Sequence, residues 1–179
     1  MVPTSVKMKY AQIERERRYL LEKKFLVPPS NRKMFVHDRY FEGSTLRLRR
    51  IEENDMATVF KLGQKIRFDD ESPIKIAHTS MYLSKEEFEM FATLPANQLE
   101  KKRSFFELGE FTLVVDQFTG ELEGLVLAEI DIGSTGVMPD LLPFDTVAEV
   151  THDERFTGGA LANSSAADLL LLLESYGVN

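Results

Sequence analysis

The stretch Leu46-Arg47-Leu48-Arg49 alternates an apolar with a cationic side chain at every step. A period of two is that of a β-strand, so these residues present one leucine face and one arginine face. The same two-sided pattern recurs along the chain. Glu14, Glu16 and Arg18 share a face, and Lys61 lies opposite Phe60 and Leu62. Lys101 and Arg103 share a face, Asp116 alternates with Val115, and Glu129 and Asp131 alternate with Ala128 and Ile130. Eight such segments are expected, at 13–21, 35–41, 45–52, 56–65, 74–83, 99–107, 110–118 and 124–132. Turn residues at Glu42-Gly43-Ser44, Leu108-Gly109-Glu110 and Thr119-Gly120 through Gly124 separate several of them.

Eight strands in succession point to an antiparallel meander, and closing it into a barrel leaves no unpaired edge. Between the fifth and sixth strands, Ser84-Lys85-Glu86-Glu87 is a capping box that starts a short helix through about Thr93, with Pro95 preventing its continuation. Residues 164–176 predict a C-terminal helix packed on the outside of the sheet, and residues 1–12 a flexible N-terminus. The expected fold class is α+β, mainly β: an eight-stranded antiparallel β-barrel forming a tunnel, with a few flanking helices, in one domain over 13–179.

The charge distribution is uneven, and a folded chain will tend to bring its basic and acidic parts together. The chain of 179 residues has a net charge of −7, but residues 1–50, 51–110 and 111–179 carry +8, −4 and −11. A net negative chain is a poor nonspecific nucleic-acid binder. There is no cysteine, which excludes disulfides, cysteine zinc sites, iron–sulfur clusters and thiol nucleophiles, and fits a reducing, cytoplasmic setting. The longest aliphatic run, Leu169 to Leu173, is far too short to span a membrane, and the N-terminus has no signal-peptide core.

An amphipathic sheet could put its charged face in water. These faces, however, carry like charges two residues apart, at Glu14/Glu16, Arg47/Arg49, Lys101/Arg103 and Glu129/Asp131. Two like charges about 7 Å apart repel by roughly 2 kcal/mol at an effective dielectric of 20, so something between them should compensate. Carboxylate pairs suit a hard divalent cation, and paired cations suit polyphosphate oxygens. A closed barrel would line its lumen with five acids (Glu14, Glu16, Asp116, Glu129, Asp131) and six bases (Arg18, Arg47, Arg49, Lys61, Lys101, Arg103), a sum of +1.

In order along the chain, several stretches resemble the CYTH, or triphosphate tunnel metalloenzyme, family. Glu14-Arg15-Glu16-Arg17-Arg18 resembles its N-terminal E-x-E-x-K signature. Leu46–Arg50, Phe60-Lys61, Glu100–Arg103, Asp116-Gln117-Phe118 with Gly120, Gly124-Leu125 and Ala128–Asp131 follow, and Glu149-Val150-Thr151 with Asp153–Phe156 resembles the closing segment. The resemblance covers about 13–162. It implies a tunnel barrel and metal-dependent chemistry on inorganic, nucleoside or other organic triphosphates, with Mg²⁺ or Mn²⁺ as cofactor. Carried over by motif, Glu14, Glu16, Glu129 and Asp131 would hold metal, with Asp116 a further candidate. Glu14, Glu16 and Glu129 would be the catalytic acids. Arg18, Arg47, Arg49, Lys61, Lys101 and Arg103 would bind phosphate, and water would attack a terminal phosphorus in line.

Two departures stand out. Arg18 replaces the motif's lysine and cannot give up a proton. In the strand before the helix, His78 and Ser80 occupy positions where many hydrolytic relatives carry glutamates. His78 could ligate a metal or serve as a hydrogen-bonded strand residue, while His37 and His152 suit turns or the surface. Tyr40 matches a tyrosine common in the family and equally suits core packing. The alternative function is a module that binds polyphosphate or a phosphorylated ligand without turnover. Nothing marks an adenine pocket for a cyclase, and an ionic lumen is wrong for a lipocalin-like carrier.

Overall fold

The structure, a computed structural model, describes residues 9–67, 75–133 and 142–178. The flexible tail expected at 1–12 therefore lies mostly outside the described residues. The elements run β1 (Gln12–Leu20), β2 (Lys33–Phe41), β3 (Leu46–Glu53), β4 (Val59–Arg67), β5 (Lys75–Leu83), α1 (Lys85–Ala92), β6 (Ala96–Leu108), β7 (Phe111–Phe118), β8 (Val126–Asp131), β9 (Ala148–Glu149), α2 (Gly158–Ala162) and α3 (Ala166–Glu174). Eight antiparallel strands close into a barrel in the order β5-β4-β3-β2-β6-β7-β8-β1, with β1 pairing back onto β5. The two-residue β9 adds to β1 beside Tyr19 and Leu20.

The order is not the simple meander expected. β2 to β5 form one antiparallel run and β6 to β8 another; β2 joins β6, and β1 bridges β5 and β8. The breaks fall at the β1–β2 and β5–β6 connections, the two longest between successive barrel strands. The β5–β6 link carries α1, whose N-cap Ser84 accepts from Glu87 N while the Glu87 side chain accepts from Ser84 N at 2.7 Å, completing the predicted capping box. The short β6–β7 turn depends on Gly109, whose φ of +61° suits glycine.

Closure sorts the two faces of each strand. Leu46, Leu48 and Leu62 turn outward and pack with Phe88 and Phe91 of α1, and Phe60 stacks at 4.6 Å on Phe88. On the opposite side, Tyr19, Leu113, Val115, Ala128 and Ile130 also face outward, but a loop covers them: Phe25 and Val27 of the β1–β2 connection, with Leu142 and Phe144. Fully burying one such side chain contributes about 1.5–3 kcal/mol, so each outer cover is a substantial source of stability.

The C-terminal segment does not pack on the outside of the sheet. Leu169, Leu172 and Leu173 of α3 join one buried cluster with Leu20, Leu99, Phe118 and Leu127, which lie on the inward faces of β1, β6, β7 and β8. Phe156 and Leu161 complete that cluster, so the segment closes one end of the barrel with an apolar plug. The inward face at this end is apolar, and water is excluded there by leucine and phenylalanine side chains rather than by ions. Among the described residues, no helix is long and apolar enough to cross a membrane.

Candidate active site

Above the plug, the inward face becomes ionic. On β1 the sequence Glu14-x-Glu16-x-Arg18-x-Leu20 runs from the open lumen down into the plug, one inward side chain every second residue. Arg18 Nε donates to Glu129 Oε1 at 2.8 Å, and its Nη1 donates to the Phe156 carbonyl at 2.7 Å. Its Nη2 lies 3.9 Å from Glu16 Oε2. The buried Arg18 guanidinium therefore ties the plug to two lumen carboxylates.

Two fully buried aspartates brace the remaining arginines. Asp116 accepts both Arg103 Nε and Nη2 at 2.6 Å and Lys101 Nζ at 2.5 Å. Arg103 Nη2 also reaches Glu129 Oε2 at 2.8 Å. Asp38 accepts a bidentate pair from Arg49 at 2.6 Å, with Arg47 Nε 3.7 Å away. Burial pushes the Asp38 carboxyl up, but Arg49 and Arg47 outweigh it and hold it well below the usual carboxylate range. Burial likewise opposes ionisation of Glu129, yet Arg18, Lys101 and Arg103 hold it well below its ordinary value. Burial and the Arg103 charge together pull the Lys101 ammonium down, against Asp116 and Glu129.

Nearer the open side the contacts change. Lys65 Nζ lies 2.7 Å from Glu16 Oε1 and 2.9 Å from Glu14 Oε2. Glu14 Oε1 pairs with His78 Nδ1 at 2.5 Å, and His78 Nε2 is buried without a partner. Burial raises the Glu14 carboxyl, but the His78 hydrogen bond and Lys65 reverse this and hold it at about 2. Two carboxylates about 5 Å apart repel by roughly 3 kcal/mol at an effective dielectric of 20, so the shared ammonium offsets a real cost.

These groups surround a cavity of about 340 Å³ whose walls include Glu16, Arg18, Arg47, Gly63 and Lys65. It narrows into a space of about 80 Å³ among Arg49, Lys101, Arg103 and Glu129. Tyr40 lines both, its ring against Gly158 of the closing segment, where a Cβ would collide with the phenol.

The structure brings together Glu14, Glu16, Arg18, Arg47, Arg49, Lys101, Arg103, Asp116 and Glu129. Two sequence candidates stand apart. Lys61 is half-buried, with its ammonium 4.6 Å over the exposed Tyr82 ring, and lines neither cavity. Asp131 is exposed and accepts from Gly133 N at 2.9 Å, although its backbone pairs with Glu16. Ser80 is exposed; His37 sits mid-strand on the outer face with Glu100 and Arg50, and His152 is exposed.

Sequence reasoning missed Lys65 and Asp38. Lys61 and Lys65 have the same parity, so alternation puts both on one face without saying which lies deeper. Asp38 sits in a strand where both faces mix polar and apolar residues, and its signal emerges only from register, opposite Arg49. Exchanging Lys61 for Lys65 and Asp131 for Asp38 keeps the lumen at five acids and six bases.

The carboxylates do not all suit a metal. Among the described residues no cluster of three or more His, Asp or Glu side chains is arranged to hold a cation. Asp116 is enclosed by Lys101 and Arg103, and Glu129 by Arg18 and Arg103. Glu14 and Glu16 do fit: one oxygen of each faces a single cationic point, which the Lys65 ammonium occupies.

A closed antiparallel barrel with a charged, cation-rich lumen defines a tunnel protein built for a polyanion. No family profile matches the chain. It is 32% identical over 111 residues to an inorganic triphosphatase of Acetivibrio thermocellus, covering 54% of this chain and 69% of that protein. The crystal structure of the inorganic triphosphatase NE1496 superimposes with a TM-score of 0.52 at 22% identity, covering 84% of this chain and 95% of that one. A second structure of NE1496 gives 0.53 at 21% identity, covering 85% and 99%. The chain belongs to the CYTH, or triphosphate tunnel metalloenzyme, family.

Proposed function

We propose that this chain hydrolyses a triphosphate inside the barrel, with inorganic triphosphate the leading substrate. The observation that carries the reading is the convergence of Arg47, Arg49, Lys65, Lys101 and Arg103 on one cavity system that Glu16 also lines, with Glu14 joined to it through Lys65. The likeness to a protein named an inorganic triphosphatase supports the same substrate class.

In this reading Arg47 and Lys65 meet the phosphate chain at the wider cavity, and Arg49, Lys101 and Arg103 meet it in the narrow part. Asp38 and Asp116 hold those cations at fixed positions so that little reorganisation accompanies binding. Arg18 acts mainly through other groups, fixing Glu129 and the Phe156 carbonyl. Glu14 and Glu16 would hold Mg²⁺ or Mn²⁺, which when bound supplies charge neutralisation on the phosphate oxygens. The basic side chains stabilise charge developing on the transferred phosphoryl group, and the plug keeps bulk water from the far end of the lumen. We place the activity in the cytoplasm, supported by the lack of cysteine, and without a nucleic-acid or membrane partner, supported by the net charge of −7.

A second reading, a non-catalytic polyphosphate binder, is favoured by one observation: each lumen carboxylate is already engaged by a base. Phosphate release from inorganic triphosphate, ATP and thiamine triphosphate, each with Mg²⁺ and Mn²⁺, decides between them. Metal-dependent release from inorganic triphosphate supports the hydrolase. Tight triphosphate binding by calorimetry with no release under any condition supports the binder.

A further inference from the structure

Lys65 holds a position that neither its strand pattern nor the family motif foretold. Its ammonium sits between Glu16 Oε1 at 2.7 Å and Glu14 Oε2 at 2.9 Å. The other oxygen of each carboxylate faces a different group: Glu14 Oε1 pairs with His78, and Glu16 Oε2 lies 3.9 Å from Arg18. Thus one outer oxygen is hydrogen-bonded to His78, the other lies within ion-pair range of Arg18, and the two inner oxygens converge on the place the ammonium fills. Lys65 itself is the least enclosed of the three, with a side chain 33% exposed against 21% for Glu14 and 17% for Glu16. It also lines the wider cavity beside Arg47.

The geometry points to Lys65 as a built-in counter-cation that occupies the divalent-cation position until triphosphate draws it away. This rests on the proposed metal-dependent function and adds its regulation. A triphosphate entering the cavity presents several anionic oxygens to a flexible four-carbon side chain. The ammonium turns to the phosphates, and the carboxylate pair is released to a divalent cation. Free cation competes poorly with a tethered ammonium, so metal and triphosphate load together. The coupling is reciprocal: each improves the affinity of the other by the same factor.

The test measures Mn²⁺ binding by calorimetry and by electron paramagnetic resonance of free Mn²⁺, without turnover. Wild type, Lys65→Met and Lys65→Gln are compared with and without a non-hydrolysable imido analogue of triphosphate. Lys65→Gln keeps a hydrogen-bond donor between the carboxylates and serves if the methionine variant does not fold. We expect the variants to bind Mn²⁺ alone at least about 10-fold more tightly than wild type, and to gain less than wild type when the analogue is added. Variants that bind Mn²⁺ alone no better than wild type, while all proteins bind it with the analogue, overturn the role of Lys65 and leave the metal-dependent function standing. Absence of Mn²⁺ binding to every protein, with and without the analogue, overturns both.

Discussion

The lumen has two regions that handle charge differently. Around Asp116 and Asp38, both with fully buried side chains, the arginines are gripped by two parallel hydrogen bonds at 2.6 Å. Around Glu14 and Glu16 the partner is a single, partly exposed ammonium, and a neighbouring imidazole nitrogen has no partner. A bidentate guanidinium–carboxylate pair fixes distance and orientation, whereas a lysine on a flexible stem fixes neither. On the proposed function, the first region would serve as a rigid cradle for phosphate and the second as an exchangeable cation site. The plug accounts for where the rigid region lies, because Arg18 anchors it to the Phe156 carbonyl and to Glu129 at once.

The comparison breaks most visibly at Asp116. Asp116→Ala leaves Lys101 and Arg103 buried without their main counter-charge, and should cost about 3–5 kcal/mol in urea unfolding. A loss under about 1 kcal/mol would mean that the cradle is not held by ion pairing. Glu16→Gln acts on the exchangeable side instead. It keeps shape while removing charge, and should cut metal-dependent phosphate release by about 10²-fold or more with a much smaller loss of triphosphate affinity. Equal losses in rate and affinity would place Glu16 in the cradle.

Arg47→Ala should weaken triphosphate binding by about 1.5–3 kcal/mol, measured by calorimetry, for one lost charge-assisted contact. Its effect on stability should be smaller than that of Asp116→Ala, because Arg49 still neutralises Asp38. The pH dependence sharpens the contrast further. The folded Glu14 carboxyl, held at about 2, lies below its ordinary 4.5. The stability it adds is complete above that ordinary value and is lost as pH falls toward about 2. Going from about pH 6 to about pH 3, Glu14→Gln should therefore lose less stability than wild type in urea titrations. The smallest effect belongs to Lys61→Ala. Because its ammonium stacks on Tyr82 outside both cavities, triphosphate affinity should change by less than about threefold.

Much of this was legible in the chain itself. The alternation at Leu46–Arg49 predicts a leucine face under cover and an arginine face inward, and Leu48 buried beneath α1 with Arg49 on Asp38 is that result. The capping box at Ser84 placed α1 correctly. The meander was misjudged because alternation describes each strand separately and carries no information about its neighbours. The two long connections were the only local hint that β1 and β6 would pair elsewhere.

What the sequence alone determined, then, is the face each charged residue takes, since the side-chain period of a strand is two and needs no partner to operate. It could not determine height along the barrel axis. Lys61 and Lys65 share a face, yet only Lys65 reaches Glu14 and Glu16. That choice is made by the register of β4, by closure of β1 onto β5, which sets Glu14 opposite Ile76, and by pairing of β1 with β8, which sets Glu16 opposite Asp131. Height also decided that the inward leucines of β1, β6 and β8 would gather at one end, and so draw the C-terminal helix over the barrel mouth instead of its side. Register is a property of strand pairs and closure of the whole sheet, so both came into being only with the tertiary structure.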